Sequence, residues 1–178
     1  MLAVAAAIVT ASSEGGNAAA GSTRTRCSPT RVHHEPNPVL GSLSGGRWIE
    51  GRPLTARLLG YLWGGEEVRG RFALYAGGRN PVSGTSEKIL WIAPQHAPVG
   101  ASLRLIGQRL HFNFTLRRYE PTGRSFTQRF GAASSDQTQG QLFPSIVDAP
   151  RAGCWRLTLR TGRVYAVVVA LVQPAQPR

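Results

Sequence analysis

Apolar and polar side chains alternate along much of the chain after position 48, and the alternation repeats every two residues. The clearest run spans residues 110–116, where leucine or phenylalanine occupies the even positions and histidine, asparagine and threonine occupy the odd ones. Successive side chains of an extended strand point to opposite faces, so this run places four apolar side chains on one face. It predicts a half-buried β-strand.

The C-terminal part of the sequence predicts a β-hairpin. In residues 154–160 the apolar side chains of Trp155, Leu157 and Leu159 alternate with outward-facing arginine and threonine. A turn at positions 161–162 leads into residues 164–172, which are almost entirely apolar and rich in β-branched side chains. A strand that is apolar on both faces is typical of the interior of a packed sheet.

The remaining apolar runs are short, and clusters of glycine, proline, serine, asparagine and aspartate separate them. This spacing predicts an all-β fold, an antiparallel β-sandwich of about seven to eight strands over residues 48–173. Residues 88–93 form one such strand, which Pro94 ends. Residues 54–63 fit either a strand or a short helix, because their apolar side chains agree with both spacings.

Three further segments flank the predicted sandwich. Residues 1–26 contain a short apolar run followed by small residues, which is typical of a signal peptide, although no basic residue precedes the run. Residues 27–47 are rich in proline, glycine, serine and histidine and predict an extended N-terminal arm, while residues 174–178 form a tail. We therefore expect a secreted or cell-envelope protein with no transmembrane span in the mature chain.

Two motifs carry a resemblance to known proteins. A strand that begins at Lys88 with the sequence lysine-isoleucine-leucine-tryptophan precedes a hairpin that begins with Gly153-Cys154-Trp155. Over about residues 48–172 this pattern resembles uncharacterised secreted bacterial proteins with an immunoglobulin-like β-sandwich domain. The resemblance implies that fold and export, and it implies no activity. The chain departs from antibody-type domains, because Cys154 has no second cysteine within the predicted sandwich.

The sequence is strongly basic, with 21 lysine and arginine residues against 9 acidic ones and a formal net charge of +12. Such a charge attracts polyanions, but the basic residues are scattered along many strands and form no long run. Arginines at alternate strand positions would line one sheet surface. The candidate anion-binding residues that could share such a face are Arg57, Arg69, Arg71, Arg104, Arg117, Arg118 and Arg129.

Cys27 and Cys154 are the only two cysteines of the chain. In an exported protein such a pair usually forms a disulfide, which would fasten the arm to the start of the final hairpin. The alternative is a buried free thiol at Cys154, with Cys27 unpaired in the arm.

No motif in the sequence assembles a catalytic, metal or cofactor site. His33, His34 and Glu35 are residue types that bind zinc, but adjacent side chains of an extended arm diverge, so we expect a solvated polar segment. A hydrolase would need His96 or His111 against a carboxylate and a hydroxyl, and the sequence has no nucleophile motif. We therefore expect a protein that is not an enzyme and binds no cofactor.

The four tryptophans allow two interpretations. Trp91 and Trp155 lie at inward strand positions and are expected in the core, whereas Trp48 and Trp63 are left open as an aromatic platform for sugar rings or bases.

The sequence favours a non-catalytic extracytoplasmic structural or protein-interaction module whose partner is an unidentified protein or envelope polymer. The alternative is a basic polyanion-binding domain for an acidic envelope polymer or nucleic acid, nucleic acid being the less favoured partner. The salt dependence of polyanion binding separates the two hypotheses.

Overall fold

The computed structural model describes most of the chain after residue 26, namely residues 27–43, 45–63, 66–80, 84, 86–94, 101–133 and 140–175. The predicted leader at 1–26, the last residues of the tail and the candidate His96 lie outside the described residues.

The described part of the chain forms ten strands and two short 3-10 segments. The strands are β1 (Trp48–Glu50), β2 (Leu59–Leu62), β3 (Glu66–Val68), β4 (Arg71–Tyr75), β5 (Lys88–Pro94), β6 (Leu103–Asn113), β7 (Arg118–Phe130), β8 (Gly140–Ile146), β9 (Gly153–Thr161) and β10 (Val164–Gln173). The 3-10 segments span Pro38–Leu43 and Leu54–Ala56. The predicted all-β class is confirmed, and the strand count exceeds the predicted seven to eight. The three-residue strands β1 and β3 explain part of the excess, because three residues are too few to display a period of two.

The strands form two sheets. The four-stranded sheet has the order β1-β2-β5-β8, and all its pairs are antiparallel. The six-stranded sheet has the order β3-β4-β10-β9-β6-β7. One of its pairs, β4 with β10, is parallel, which corrects the expectation of a wholly antiparallel fold. The predicted C-terminal hairpin is confirmed, and β10 lies inside the sheet between β4 and β9.

A main hydrophobic core lies between the two sheets. Trp91 and Trp155 are almost completely buried in it, as the sequence predicts, together with Phe72 and Phe143. These side chains occupy the inward positions of β5, β9, β4 and β8, so the alternation along each strand builds the core. Large aromatic side chains supply much of the buried apolar area of such a core.

A second, smaller apolar cluster covers the outer face of the four-stranded sheet. Leu90 and Ile92 alternate with the inward-facing residues of β5 and belong to this cluster. Leu40, from the first 3-10 segment, is fully buried against it. The predicted arm therefore contributes a side chain that seals one outer face of the sandwich.

The arm also pairs with the six-stranded sheet. The backbone N–H of Thr30 donates to the carbonyl of Val169 on β10, and the N–H of Phe72 on β4 donates to the carbonyl of Thr30. The predicted disulfide is confirmed: Cys27 and Cys154 are bonded, with their Cα atoms 5.8 Å apart.

Two local predictions need correction. The strand predicted over 110–116 ends at Asn113, so Phe114 and Leu116 lie in a turn instead of on a buried strand face. The ambiguous segment 54–63 contains both alternatives in sequence, a 3-10 turn at Leu54–Ala56 followed by β2. Within the described ranges, no helix has the length and apolarity needed to cross a membrane.

Candidate anion-binding face

Three arginines lie side by side on the outer face of the six-stranded sheet. Arg104 on β6 is directly opposite Arg129 on β7 and, on its other side, directly opposite Arg160 on β9. Residues at opposed positions of paired strands share a face, so Arg129, Arg104 and Arg160 form one line, here called the arginine row. Tyr165 on β10 is directly opposite Arg160 and ends the row. Because neighbouring strands lie about 4.8 Å apart, the row extends over about 10 Å of sheet surface.

The local sequence fixes the outward direction of the row. Leu103 and Leu105, on either side of Arg104, are fully buried in the core, and so is Leu159 beside Arg160. Successive strand residues point to opposite faces, so burial of these leucines turns the arginines outward. All three arginines of the row are exposed.

The arginine row carries positive charge without a matching negative charge. The ion pairs found among the described residues join His33 to Glu35, His34 to Glu67 and Arg118 to Glu120, and none involves the row. Like charges at directly opposed positions of a sheet are destabilising. Arg104 has an arginine on each side, so the fold retains two such unfavourable contacts.

Tyr165 and Arg156 extend this surface beyond the row. The guanidinium carbon of Arg160 lies 5.6 Å from the centroid of the Tyr165 ring, within the range of a cation–π contact. Arg156 precedes Arg160 by four residues, an even number, so both side chains point to the outer face, and the Arg156 Nη2 lies 3.4 Å from the Tyr165 hydroxyl. The tyrosine ring therefore orders two arginines at one end of the surface.

Of the seven arginines that the sequence nominates, the structure brings together Arg104 and Arg129. Arg57 directly follows a 3-10 segment, and Arg69 lies in a turn. Both residues have a left-handed backbone conformation. Arg71 begins β4, and its Nη1 donates to the carbonyl of Pro29. Arg117 and Arg118 lie at the far end of the β6–β7 hairpin, where Arg118 pairs with Glu120.

Sequence reasoning missed Arg156 and Arg160 as members of the surface. The alternation over 154–160 already places both side chains outward, so the direction of each was readable. The sequence did not show which residues lie beside these two arginines, because the pairing of β9 with β6 joins parts of the chain that are distant in sequence.

A second group of arginines surrounds a cavity of about 410 Å³ at the edge of the sandwich. Arg109, Arg124 and Arg151 line it together with Trp155. Gly153 is needed here, because a Cβ atom at that position would lie 2.8 Å from the Nε of Arg109. The guanidinium of Arg109 thus packs closely over the backbone at the start of β9.

The two tryptophans left open by the sequence have different environments. Trp48 is buried, stacks on His33 with ring centroids 4.2 Å apart, and donates from its indole N–H to the carbonyl of Glu35. Its role is therefore to hold the arm. Trp63 is 67% exposed and borders an apolar cavity of about 550 Å³ that is also lined by Lys88 and Phe130.

The histidines of the arm bind carboxylates separately. His33 Nδ1 lies 2.7 Å from Glu35 Oε1, and His34 Nε2 lies 2.9 Å from Glu67 Oε2. The hydrogen bond with His33 is the main cause that lowers the pKa of Glu35 to about 2. No group of three or more potential metal ligands occurs in the part of the chain that the structure describes.

One histidine–carboxylate pair bears on the hypothesis of a hydrolase. His111 lies opposite Glu120 in the β6–β7 register. Hydrogen bonds from Asn113 and then Arg118 lower the pKa of the Glu120 carboxyl. The Asn113 amide donates to one carboxylate oxygen and the Arg118 guanidinium donates to the other. A carboxylate engaged in this way stabilises the hairpin and is poorly placed to act as a base.

In comparisons with known proteins, no protein-family model, no curated protein and no solved structure matches the chain.

Proposed function

We propose that this protein is a non-catalytic, extracytoplasmic binding module that holds an acidic polymer across the arginine row. This takes up the second of the two functions that the sequence allows. It assigns the polymer a specific surface, the outer face of β6, β7 and β9.

The observation that carries the proposal is that three arginines lie side by side and take part in none of the ion pairs found among the described residues. Two directly opposed like-charge contacts reduce the stability of the fold, and a bound anion at each guanidinium would relieve that repulsion. Arginine suits this role because its planar guanidinium donates two parallel hydrogen bonds to a carboxylate, sulfate or phosphate group.

The shape of the surface favours a polymer over a small anion. The row lies on an exposed sheet face, and it presents several cationic groups along a line. A chain with repeated anionic groups contacts all of them at once, so one weak contact raises the effective concentration for the next. Tyr165 and Arg156 continue the same surface toward β10.

The disulfide supports the compartment in the proposal. Disulfides persist in oxidising environments outside the cytoplasm, and Cys27–Cys154 closes a loop across most of the chain. In those compartments acidic wall or matrix polymers are more accessible partners than nucleic acid. The immunoglobulin-like character of the sandwich stays a prediction beside this proposal.

The test measures binding of the intact protein to heparin, a sulfated polysaccharide, across a range of salt concentrations. We expect affinity to fall steeply with salt, because arginine contacts release the polymer's counterions. The double substitution Arg104→Gln/Arg160→Gln should weaken binding and reduce the logarithmic salt slope by about two, roughly one for each lost contact.

The matched control is Arg57→Gln/Arg69→Gln, which removes the same charge from exposed positions outside β6, β7 and β9. It should leave the affinity almost unchanged. If both double variants lose affinity equally, binding follows net charge and the arginine row is not the site. If the unmodified protein fails to bind heparin even at low salt, the polymer-binding function is wrong.

A further inference from the structure

The β6–β7 hairpin extends beyond the rest of the six-stranded sheet. The pairing of β6 with β9 ends at Leu110, whereas β6 continues to pair with β7 as far as Asn113. The end of the hairpin is therefore a two-stranded ribbon of about 10 Å beyond the last contact with β9. Its tip is the turn formed by residues 114–117.

The tip exposes two large apolar side chains. Phe114 is 83% exposed and Leu116 is 52% exposed, although both continue the apolar pattern that predicted a buried strand. A position at the extremity of a ribbon brings these side chains no contact with the main core. Burial of each one in an apolar environment would be favourable, so the free protein leaves that interaction unused.

The tip is held in a defined conformation by Asn113. Its side-chain oxygen accepts hydrogen bonds from the backbone N–H groups of Thr115 and Leu116, both at 3.0 Å. Its amide nitrogen donates to Glu120 across the hairpin, and the other Glu120 oxygen accepts from Arg118. This network presents the apolar side chains in a fixed arrangement and lowers the entropy cost of binding.

Aromatic packing supports the same arrangement from within the ribbon. The ring of Phe112 lies 5.0 Å from the ring of Phe114 and 5.4 Å from that of Tyr119, measured between centroids. Phe112 and Tyr119 are directly opposed in the hairpin register. Aromatic packing therefore connects the Phe112–Tyr119 pair to Phe114 at the exposed end of the ribbon.

The charge around the tip is positive. Residues 109–124, which form the outer half of the hairpin, contain four arginines and one glutamate, a formal net charge of +3. Apolar side chains at the extremity with basic residues behind them match the layers of an anionic bilayer, in which the acyl region lies beneath the charged headgroups.

We propose that this hairpin tip inserts Phe114 and Leu116 into the surface of an anionic phospholipid membrane, with the arginines behind it at the level of the headgroups. This site is separate from the arginine row and goes beyond the proposed function. It would hold the sandwich against a membrane while the row faces its polymer.

The first experiment is cosedimentation of the intact, disulfide-bonded protein with vesicles of equimolar phosphatidylcholine and phosphatidylglycerol. High salt is used, so that purely electrostatic adsorption through the arginine row is screened. The unmodified protein should bind, and Phe114→Ser/Leu116→Ser should lower the partition coefficient by about tenfold or more, because two apolar side chains no longer enter the bilayer. At low salt, where the attraction of the tip arginines to anionic headgroups is not screened, vesicles of phosphatidylcholine alone should bind the unmodified protein more weakly than the mixed vesicles do.

The chain supplies a matched single-residue control. Leu116→Ser and Leu54→Ser are the same change at leucines that are 52% and 46% exposed, but Leu54 lies in a 3-10 turn away from the ribbon. Only Leu116→Ser should reduce vesicle binding. Equal effects of the two substitutions would overturn the proposal, as would unchanged binding of the double tip variant.

The depth of the tip is measured separately. A nitroxide label at Thr115→Cys should become shielded from a water-soluble relaxation agent and accessible to oxygen when vesicles are added, whereas a label at Thr122→Cys should stay accessible to water. Absence of shielding at position 115 would show that the tip stays outside the bilayer, and would reject insertion. Heparin affinity should not change in the tip variants, so failure of this proposal and failure of the proposed function are distinguishable.

Discussion

The two outer faces of the sandwich differ in what covers them. The outer face of the four-stranded sheet is apolar, and Leu40 from the arm is buried against Leu90 and Ile92 on it. The corresponding face of β6, β7 and β9 carries the exposed Arg104 and Arg160 instead. The same arm therefore seals one sheet by hydrophobic packing and leaves this part of the other sheet open to solvent and ligands.

The difference is visible in the strands themselves. Strand β5 is buried at five consecutive positions, which requires cover on both of its faces. Strand β6 begins with buried and exposed positions in alternation, which requires cover on one face only. The sequence carries the same difference, because residues 89–93 are all apolar whereas residues 102–105 alternate between polar and apolar.

The largest expected change in stability follows from loss of the disulfide that joins the arm to the six-stranded sheet. Reduction of Cys27–Cys154, or its replacement by two serines, should lower the free energy of unfolding by about 4 to 5 kcal/mol in the chain-entropy model, because the bond closes a loop with a sequence separation of 127. Urea unfolding with and without reductant measures this change. The double serine variant should not respond to reductant, and an unchanged melt of the reduced protein would contradict the prediction.

A smaller effect is expected from removal of the cover on the four-stranded sheet. Leu40→Ala deletes a fully buried side chain and leaves a cavity over the second cluster, so the free energy of unfolding should fall by about 2 to 4 kcal/mol. The control Leu54→Ala, at a leucine that is 46% exposed, should change it by about 0.5 kcal/mol or less. Similar losses in both variants would mean that the arm does not seal this face.

The smallest effect concerns the open face and has the opposite sign. Arg104→Gln removes both directly opposed like-charge contacts of the arginine row, so the free energy of unfolding should rise by roughly 0.2 to 1 kcal/mol. The gain should shrink as salt is added, because the residues are exposed and screened. Urea melts at low and high salt test this, and a loss of stability would show that the row is not under electrostatic strain.

The sequence predicted the parts of the fold that depend on local geometry. The inward positions of Trp91 and Trp155, the C-terminal hairpin and the all-β class all follow from the alternation of side chains along each strand. The disulfide was predictable because the chain has only two cysteines. The position of Phe114 was not predictable, because an apolar residue that fits the alternating pattern fits it equally well whether the strand continues or ends in a turn.

The candidate site was predictable in its residue type and only partly in its members. Alternation placed Arg104, Arg129 and Arg160 on outward positions, but nothing local indicates which strands lie next to one another. The sequence by itself determined where the side chains of these three arginines point, because direction in a strand is a property of the local backbone. Only the tertiary structure decided that Arg104 stands between the other two, since strand order results from packing the whole chain into two layers.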